Sequence, residues 1–195
     1  GEVATARGTA AAGTLMCLST VATSTPAEVA AAAPGAGRWL QIYVFRDREV
    51  SDEVISQAVD SGFSALVLTA DLPVYGIRHR ESRTGFEAPE DEVPAIVAAR
   101  ARGGEAEGHH SLDLLESGLQ WDYVTELRER WNVPVIVKGL VTAEDAIAML
   151  EPGNILIDCT GSKSLLRDHL TTRSGDVDGD ANTLKVRLEY ALVIT

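Results

Sequence analysis

Ala65-Leu66-Val67-Leu68-Thr69 is a nearly unbroken apolar run. A run of this length and composition reads as a strand buried on both faces of a parallel sheet, where alternation with polar residues is not required. Upstream, Asp52 to Asp60 carries Val54, Ile55 and Ala58 on one helical face. Before it, Trp39 to Phe45 reads as a strand. Thr25-Pro26-Ala27-Glu28 opens a helix, with Thr25 as N-cap and Pro26 at the first helical position. Thr14 to Leu18 reads as a buried strand and Val3 to Ala12 as a small-residue helix. Downstream comes a long polar stretch over about 76–118. The rhythm then resumes with a helix at Trp121 to Arg130, a strand at Val133 to Lys138, a helix at Ala143 to Leu150 and a strand at Asn154 to Asp158. Thr142 is placed to cap that last helix, with Glu144 and Asp145 in its first turn.

Strands preceded by helices define an α/β chain with a parallel sheet. A doubly wound open sheet and part of a (β/α)8 barrel both fit. The turn after the first strand is Ser19-Thr20-Val21-Ala22, with none of the glycines of a dinucleotide-binding fingerprint, which favours the barrel. A full barrel needs about 250 residues and eight strands. The expectation is therefore a partial (β/α)8 TIM barrel.

The chain has 195 residues, 17 basic against 29 acidic, for a net charge of -12, with 45% hydrophobic side chains. That composition supports a packed core and disfavours disorder. The acidic balance argues against nucleic acid or an anionic membrane surface as the main partner. No apolar run approaches the ~18 residues of a membrane span. The N-terminus, rich in small residues, lacks a basic segment followed by an apolar one, so it reads as a helix running into a strand. Cys17 and Cys159 fall in separate strand-like segments and read as buried reduced thiols of a cytoplasmic protein, with neither metal nor disulfide.

In a barrel, chemistry sits at the C-terminal ends of the strands. Those ends hold Ser19 and Thr20, Gln41 and Tyr43, Thr69 and Asp71, Lys138, and Asp158 to Gly161. Each has a plain structural reading. Lys138 before Gly139 fits a solvated strand end, Gln41 and Tyr43 fit an interior layer, and Asp71 before Pro73 fits a turn. Together they imply a polar ligand at one mouth, because converging polar groups at the ends of apolar strands need partners.

Four segments resemble one family in order and spacing: AAAGTLMCLSTVATSTPAEVAAAAPG, RWLQIYVFRDREV, ALVLTADLPVYGIR and WNVPVIVKGLVTAEDA. They are similar to the FMN-dependent α-hydroxy-acid oxidases and dehydrogenases, over about residues 1–150. The resemblance implies strands 2 to 5 of that family's barrel, entering the sixth. It implies FMN as cofactor and oxidation of a small 2-hydroxy acid to a 2-oxo acid. Ser19, Gln41 and Thr69 match positions that hydrogen-bond the polar edge of the flavin ring. Lys138 matches the lysine beside flavin N1 and O2. Tyr43 matches the tyrosine facing the substrate, Asp71 the carboxylate that orients the catalytic histidine, and Arg78 an arginine near the substrate carboxylate. The polar stretch, with His109 and His110, matches the variable loop after the fourth strand.

The family pattern breaks after the sixth strand. Aligned on Gly161, Thr160 falls where the catalytic histidine belongs and Lys163 where a substrate-binding arginine belongs. Threonine is no general base near neutral pH, and lysine lacks the guanidinium fork. The first strand and the phosphate-binding strands are expected outside this sequence. These breaks favour low turnover, and one alternative is a non-catalytic barrel fragment that binds flavin weakly or acts with a partner chain. Residues 1–151 are expected to form the partial barrel and 152–195 a divergent tail. In that tail ILIDCTGSKSLLRDHL resembles a segment of FAD-dependent monooxygenases, a third reading; His169 there has no spacing that makes it a replacement base. Asp176, Asp178 and Asp180 read as a solvated turn, because the glutamate of a calcium loop is missing. Leu184 to Tyr190 alternates like a half-buried strand. Open strand edges call for cover by a second copy or a complementing chain.

Overall fold

The computed structural model describes residues 1–72, 76, 79–86, 94–95, 115–140, 142, 145, 155–158 and 192–193. Arg78, His109, His110, Cys159, Thr160, Lys163, His169, the acidic turn at 176–180, most of the helix expected over 143–150 and the strand expected over 184–190 lie outside the described residues. In chain order the elements are α1 (Glu2–Ala11), β1 (Met16–Ser19), α2 (Pro26–Ala32), β2 (Arg38–Ile42), α3 (Arg48–Asp60), β3 (Leu66–Thr69), α4 (His79–Thr84), α5 (Asp122–Trp131), β4 (Val135–Leu140), β5 (Ile155–Asp158) and β6 (Leu192–Val193).

All pairings in the sheet are parallel, and its order is β5-β4-β3-β2-β1-β6. From β1 to β5 each strand lies beside the one before it in sequence. A doubly wound sheet would reverse direction at a switch point, whereas a barrel wall does not. The described strands therefore form part of a (β/α)8 wall, with β6 paired to the outer edge of β1 at Met16 and Cys17.

Local chemistry explains the boundaries. Thr25 caps α2 in a full capping box: its hydroxyl accepts from the Glu28 N–H at 3.2 Å, and Glu28 Oε2 accepts from the Thr25 N–H at 2.8 Å. Helix α3 starts earlier than its apolar stripe suggests, because Asp47 Oδ1 accepts from the Glu49 N–H at 3.0 Å. Helix α5 ends on Asn132 in the left-handed region. The Thr142 hydroxyl accepts from the Asp145 N–H at 3.2 Å, the cap expected there. Within the polar stretch the short helix α4 carries no stripe and no buried residue, so periodicity could not reveal it.

The two faces of the sheet bury different things. Leu18, Leu40, Ile42, Leu66, Leu68 and Val137 pack with Val29, Ile55, Val124 and Leu127 of the helices in the larger cluster. On the opposite face Cys17, Ala65, Val67 and Ile136 form a smaller cluster, with Trp39 against it. Strand side chains alternate between faces. The next residue on the smaller cluster's face is therefore Ser19 after Cys17, Gln41 after Trp39, Thr69 after Val67 and Lys138 after Ile136.

Candidate active site

That alternation brings four expected residues to one rim. Ser19 is paired in register with Gln41, and Thr69 with Lys138. Between β2 and β3 the register sets Gln41 opposite Val67, so Thr69 stands two residues further along. Such stagger accompanies strand tilt in a barrel wall. The length of a glutamine side chain spans it. Ser19 Oγ donates to Gln41 Oε1 at 3.0 Å, and Gln41 Nε2 donates to Thr69 Oγ1 at 2.9 Å. All three side chains are buried, with relative exposures of 7%, 3% and 5%. The Val21 N–H donates to Ser19 Oγ at 3.3 Å, closing that end of the row. Within the row Thr69 Oγ1 is an acceptor, which leaves its proton for a ligand acceptor at the mouth.

Thr20 was not among the residues the resemblance assigned. Its hydroxyl donates to the Gln41 carbonyl at 2.6 Å and accepts from the Tyr43 N–H at 3.1 Å. It thereby carries the pairing of β1 and β2 past the end of both strands and fixes the backbone on which Tyr43 sits. Its signal in the sequence is its place among the polar residues at the strand ends, directly after Ser19.

Tyr43 lies just beyond β2 and lines a cavity of about 140 Å³ with Thr69 and Leu72. The other wall comes from the segment before α5, with Leu115, Glu116 and Leu119. That segment is pinned to the loop after β2. The Glu116 N–H donates to the Val44 carbonyl at 2.7 Å, and Arg46 Nε donates to the Leu115 carbonyl at 3.2 Å. Nothing in the sequence pattern pointed to this wall, since it depends on a contact across the whole polar stretch.

Asp71 and Lys138 form an ion pair, with Nζ donating to Oδ1 at 3.0 Å. Asp71 thus has a cation as its partner among the described residues. Burial pushes the Cys17 thiol up to about 11, against a smaller opposing effect of the hydrogen bond with the Gln41 backbone. At that value the thiol is protonated at neutral pH and a poor nucleophile. No group of three or more His, Cys, Asp and Glu side chains suited to a metal occurs among the described residues. No helix among them is long and apolar enough to cross a membrane.

A polar row on the rim of a parallel β/α wall, a lysine in register with it and an adjoining cavity define a ligand-binding barrel wall. Residues 1–158 match the family model described as FMN-dependent dehydrogenase, and the chain belongs to that family. It is 34% identical over 170 residues to the peroxisomal (S)-2-hydroxyacid oxidase GLO4 of Arabidopsis thaliana, covering 85% of this chain and 47% of that protein. It is 32% identical over 176 residues to 2-hydroxyacid oxidase 1 of Mus musculus, covering 85% and 48%. Among solved structures, a Pediococcus acidilactici protein described as a lactate oxidase superposes with a TM-score of 0.70 at 30% identity, over 85% of this chain and 44% of that one. A mandelate oxidase superposes with a TM-score of 0.68 at 30% identity, over 86% and 46%. The chain spans about half the length of the curated relatives it matches. The family match takes in β5 and reaches Asp158, inside the segment that resembled a monooxygenase, and the relatives give that likeness no support.

The row fits the group for which the family is named. The polar edge of a flavin ring alternates carbonyl acceptors with an N–H donor. Ser19, Gln41 and Thr69 offer donors and acceptors side by side, already satisfied by one another and therefore preorganised.

Proposed function

We propose that this chain is the flavin-ring half of an FMN-dependent oxidase or dehydrogenase acting on small 2-hydroxy acids. The observation that carries the reading is the buried Ser19–Gln41–Thr69 row with Lys138 in register beside it. Gln41 and Thr69 would hold the polar edge of the ring and Lys138 would stand at N1 and O2. FMN, when bound, would supply an acceptor for two electrons from the substrate's α-carbon. Tyr43 would present its hydroxyl to the substrate from the cavity wall, on a backbone fixed by Thr20. Leu72, Leu115 and Leu119 would exclude water beside it. Arg78 is the residue proposed for the substrate carboxylate. The names of relatives, glycolate, lactate and mandelate oxidases, support small 2-hydroxy acids as the substrate class.

Thr160 favours a second reading, a non-catalytic barrel fragment that binds flavin weakly or acts with a partner chain that brings the proton-accepting group. Residues 159–195, beyond the stretch that matches the family model, are proposed as a tail divergent from the family. The buried thiol of Cys17 supports a reducing compartment, as the cytoplasm provides.

The test is to add FMN to the purified chain, desalt it and record the visible spectrum. A retained flavin band is expected, and a colourless soluble protein would overturn the flavin site. Anaerobic bleaching by glycolate, lactate or mandelate would support turnover by the chain itself and exclude the partner-dependent reading.

A further inference from the structure

Gly139 is the point at which β4 leaves regular geometry. Its φ is +101°, in the region that L side chains rarely adopt. The register of β4 on β5 shifts between Lys138 and Leu140 at the same place. A Cβ at position 139 would overlap Cβ and Cγ of Asp71 and lie 2.8 Å from its Oδ1. The carboxylate therefore occupies the volume a side chain would fill. From that position it accepts the Lys138 Nζ hydrogen bond at 3.0 Å, bridging the loop after β3 to the end of β4. The two side chains are 38% and 22% exposed, so water screens the pair only in part.

We propose that Asp71 is the resident counter-ion of Lys138, and that Gly139 is the positioning residue that admits it. The proposal rests on the reading above that Lys138 stands beside the flavin ring, and it gives Asp71 a partner other than a histidine. A ring that gains negative charge on reduction is stabilised by a neighbouring ammonium. An ammonium already paired with a carboxylate stabilises it less. Asp71 thus holds the midpoint potential down, and it also fixes the flexible lysine stem before a ligand arrives.

The first arm of the test needs no flavin. A hydrogen-bonded lysine ammonium exchanges its protons slowly and gives a signal in nitrogen-15 spectra at low temperature. A Lys138 signal, identified by its loss in Lys138→Met, is expected in the wild-type chain and expected to vanish in Asp71→Ala and Gly139→Ala. Circular dichroism checks that each variant is folded; if Gly139→Ala is not, Asp71→Ala carries the test. Absence of the wild-type signal would overturn the pair.

The second arm uses the FMN-loaded chain. Asp71→Ala and Gly139→Ala are expected to raise the two-electron midpoint potential by about 30 mV, a tenfold shift in the ratio of reduced to oxidised flavin. Lys138→Met is expected to lower it, and Asp71→Ala in the Lys138→Met background to leave it unchanged. An unchanged potential in Asp71→Ala, or an equal rise without Lys138, would overturn the counter-ion role. A chain that shows the ammonium signal but retains no FMN would overturn the flavin half of the proposal together with the function, leaving the pair alone standing.

Discussion

At the N-terminal ends of the strands, Arg38 of β2 donates to the Ala33 carbonyl at 2.7 Å and to the Ser61 carbonyl at 3.4 Å. Those carbonyls lie at the C-caps of α2 and α3, where main-chain acceptors are left over. At the C-terminal ends, Ser19, Gln41 and Thr69 bond to one another instead. Both ends bury polar side chains within the same sheet. One end uses them to close helix termini and holds its leftover donor, Arg38 Nε, in the interior. The other keeps a row of side chains satisfied beside a cavity, ready to exchange partners. Burial of polar groups is therefore not a mark of function by itself. What separates the two ends is whether the partners are main-chain groups fixed by the fold or side chains that a ligand can replace.

The largest test of that contrast is Arg38→Ala, which strands the helix-end carbonyls and should cost about 2–3 kcal/mol in denaturant unfolding. It should leave flavin retention per folded molecule unchanged; a matching loss of flavin would erase the distinction. Gln41→Leu should cost less stability, about 1–2 kcal/mol, because Ser19 and Thr69 lose their shared partner. It should also weaken FMN binding at least about tenfold, the reverse of the Arg38 pattern. Equilibrium dialysis with FMN checks it. Thr25→Ala removes the capping box of α2 and should cost about 1 kcal/mol, with no change at the mouth.

The smallest effect is one of pH. Glu2 accepts from the Thr23 N–H at 3.1 Å and from the Ser24 hydroxyl at 2.9 Å, tying the start of α1 to the loop after β1. Partial burial pushes its pKa up, but these bonds, with those to its own N–H and the Thr23 hydroxyl, outweigh burial and hold it below the usual 4.5. Its contribution to stability is therefore present above 4.5 and is lost as pH falls through the lower folded value. Glu2→Gln should flatten that part of the acid limb in thermal melts across pH. A variant as acid-sensitive as the wild type there would remove Glu2 from the account.

Much of this is legible in the sequence. The apolar run at Ala65–Thr69 follows from burial of a strand on both faces, and the stripe Val54, Ile55, Ala58 from period-3.6 burial, both of which a linear sequence records directly. Thr25 and Thr142 were readable as caps for the same reason, since a cap and its N–H partner are separated by three residues. The apolar stripe alone starts α3 late, at Asp52, because Arg48 and Glu49 are polar. The local signal for the true start is Asp47, an N-cap residue two positions before the Glu49 N–H it accepts from.

The sequence by itself determined the alternation of elements, the polar residues that close each strand and the family they belong to. Each of these is a local pattern, or a set of patterns in fixed order. Only the tertiary structure decided that a two-residue stagger between β2 and β3 is bridged by Gln41, that Thr20 holds Tyr43, and that residues 115–119 wall the cavity. It alone set Asp71 into the space left by Gly139 and onto Lys138. These are contacts between residues distant in the chain, fixed by register and backbone conformation, and no one-dimensional periodicity encodes them.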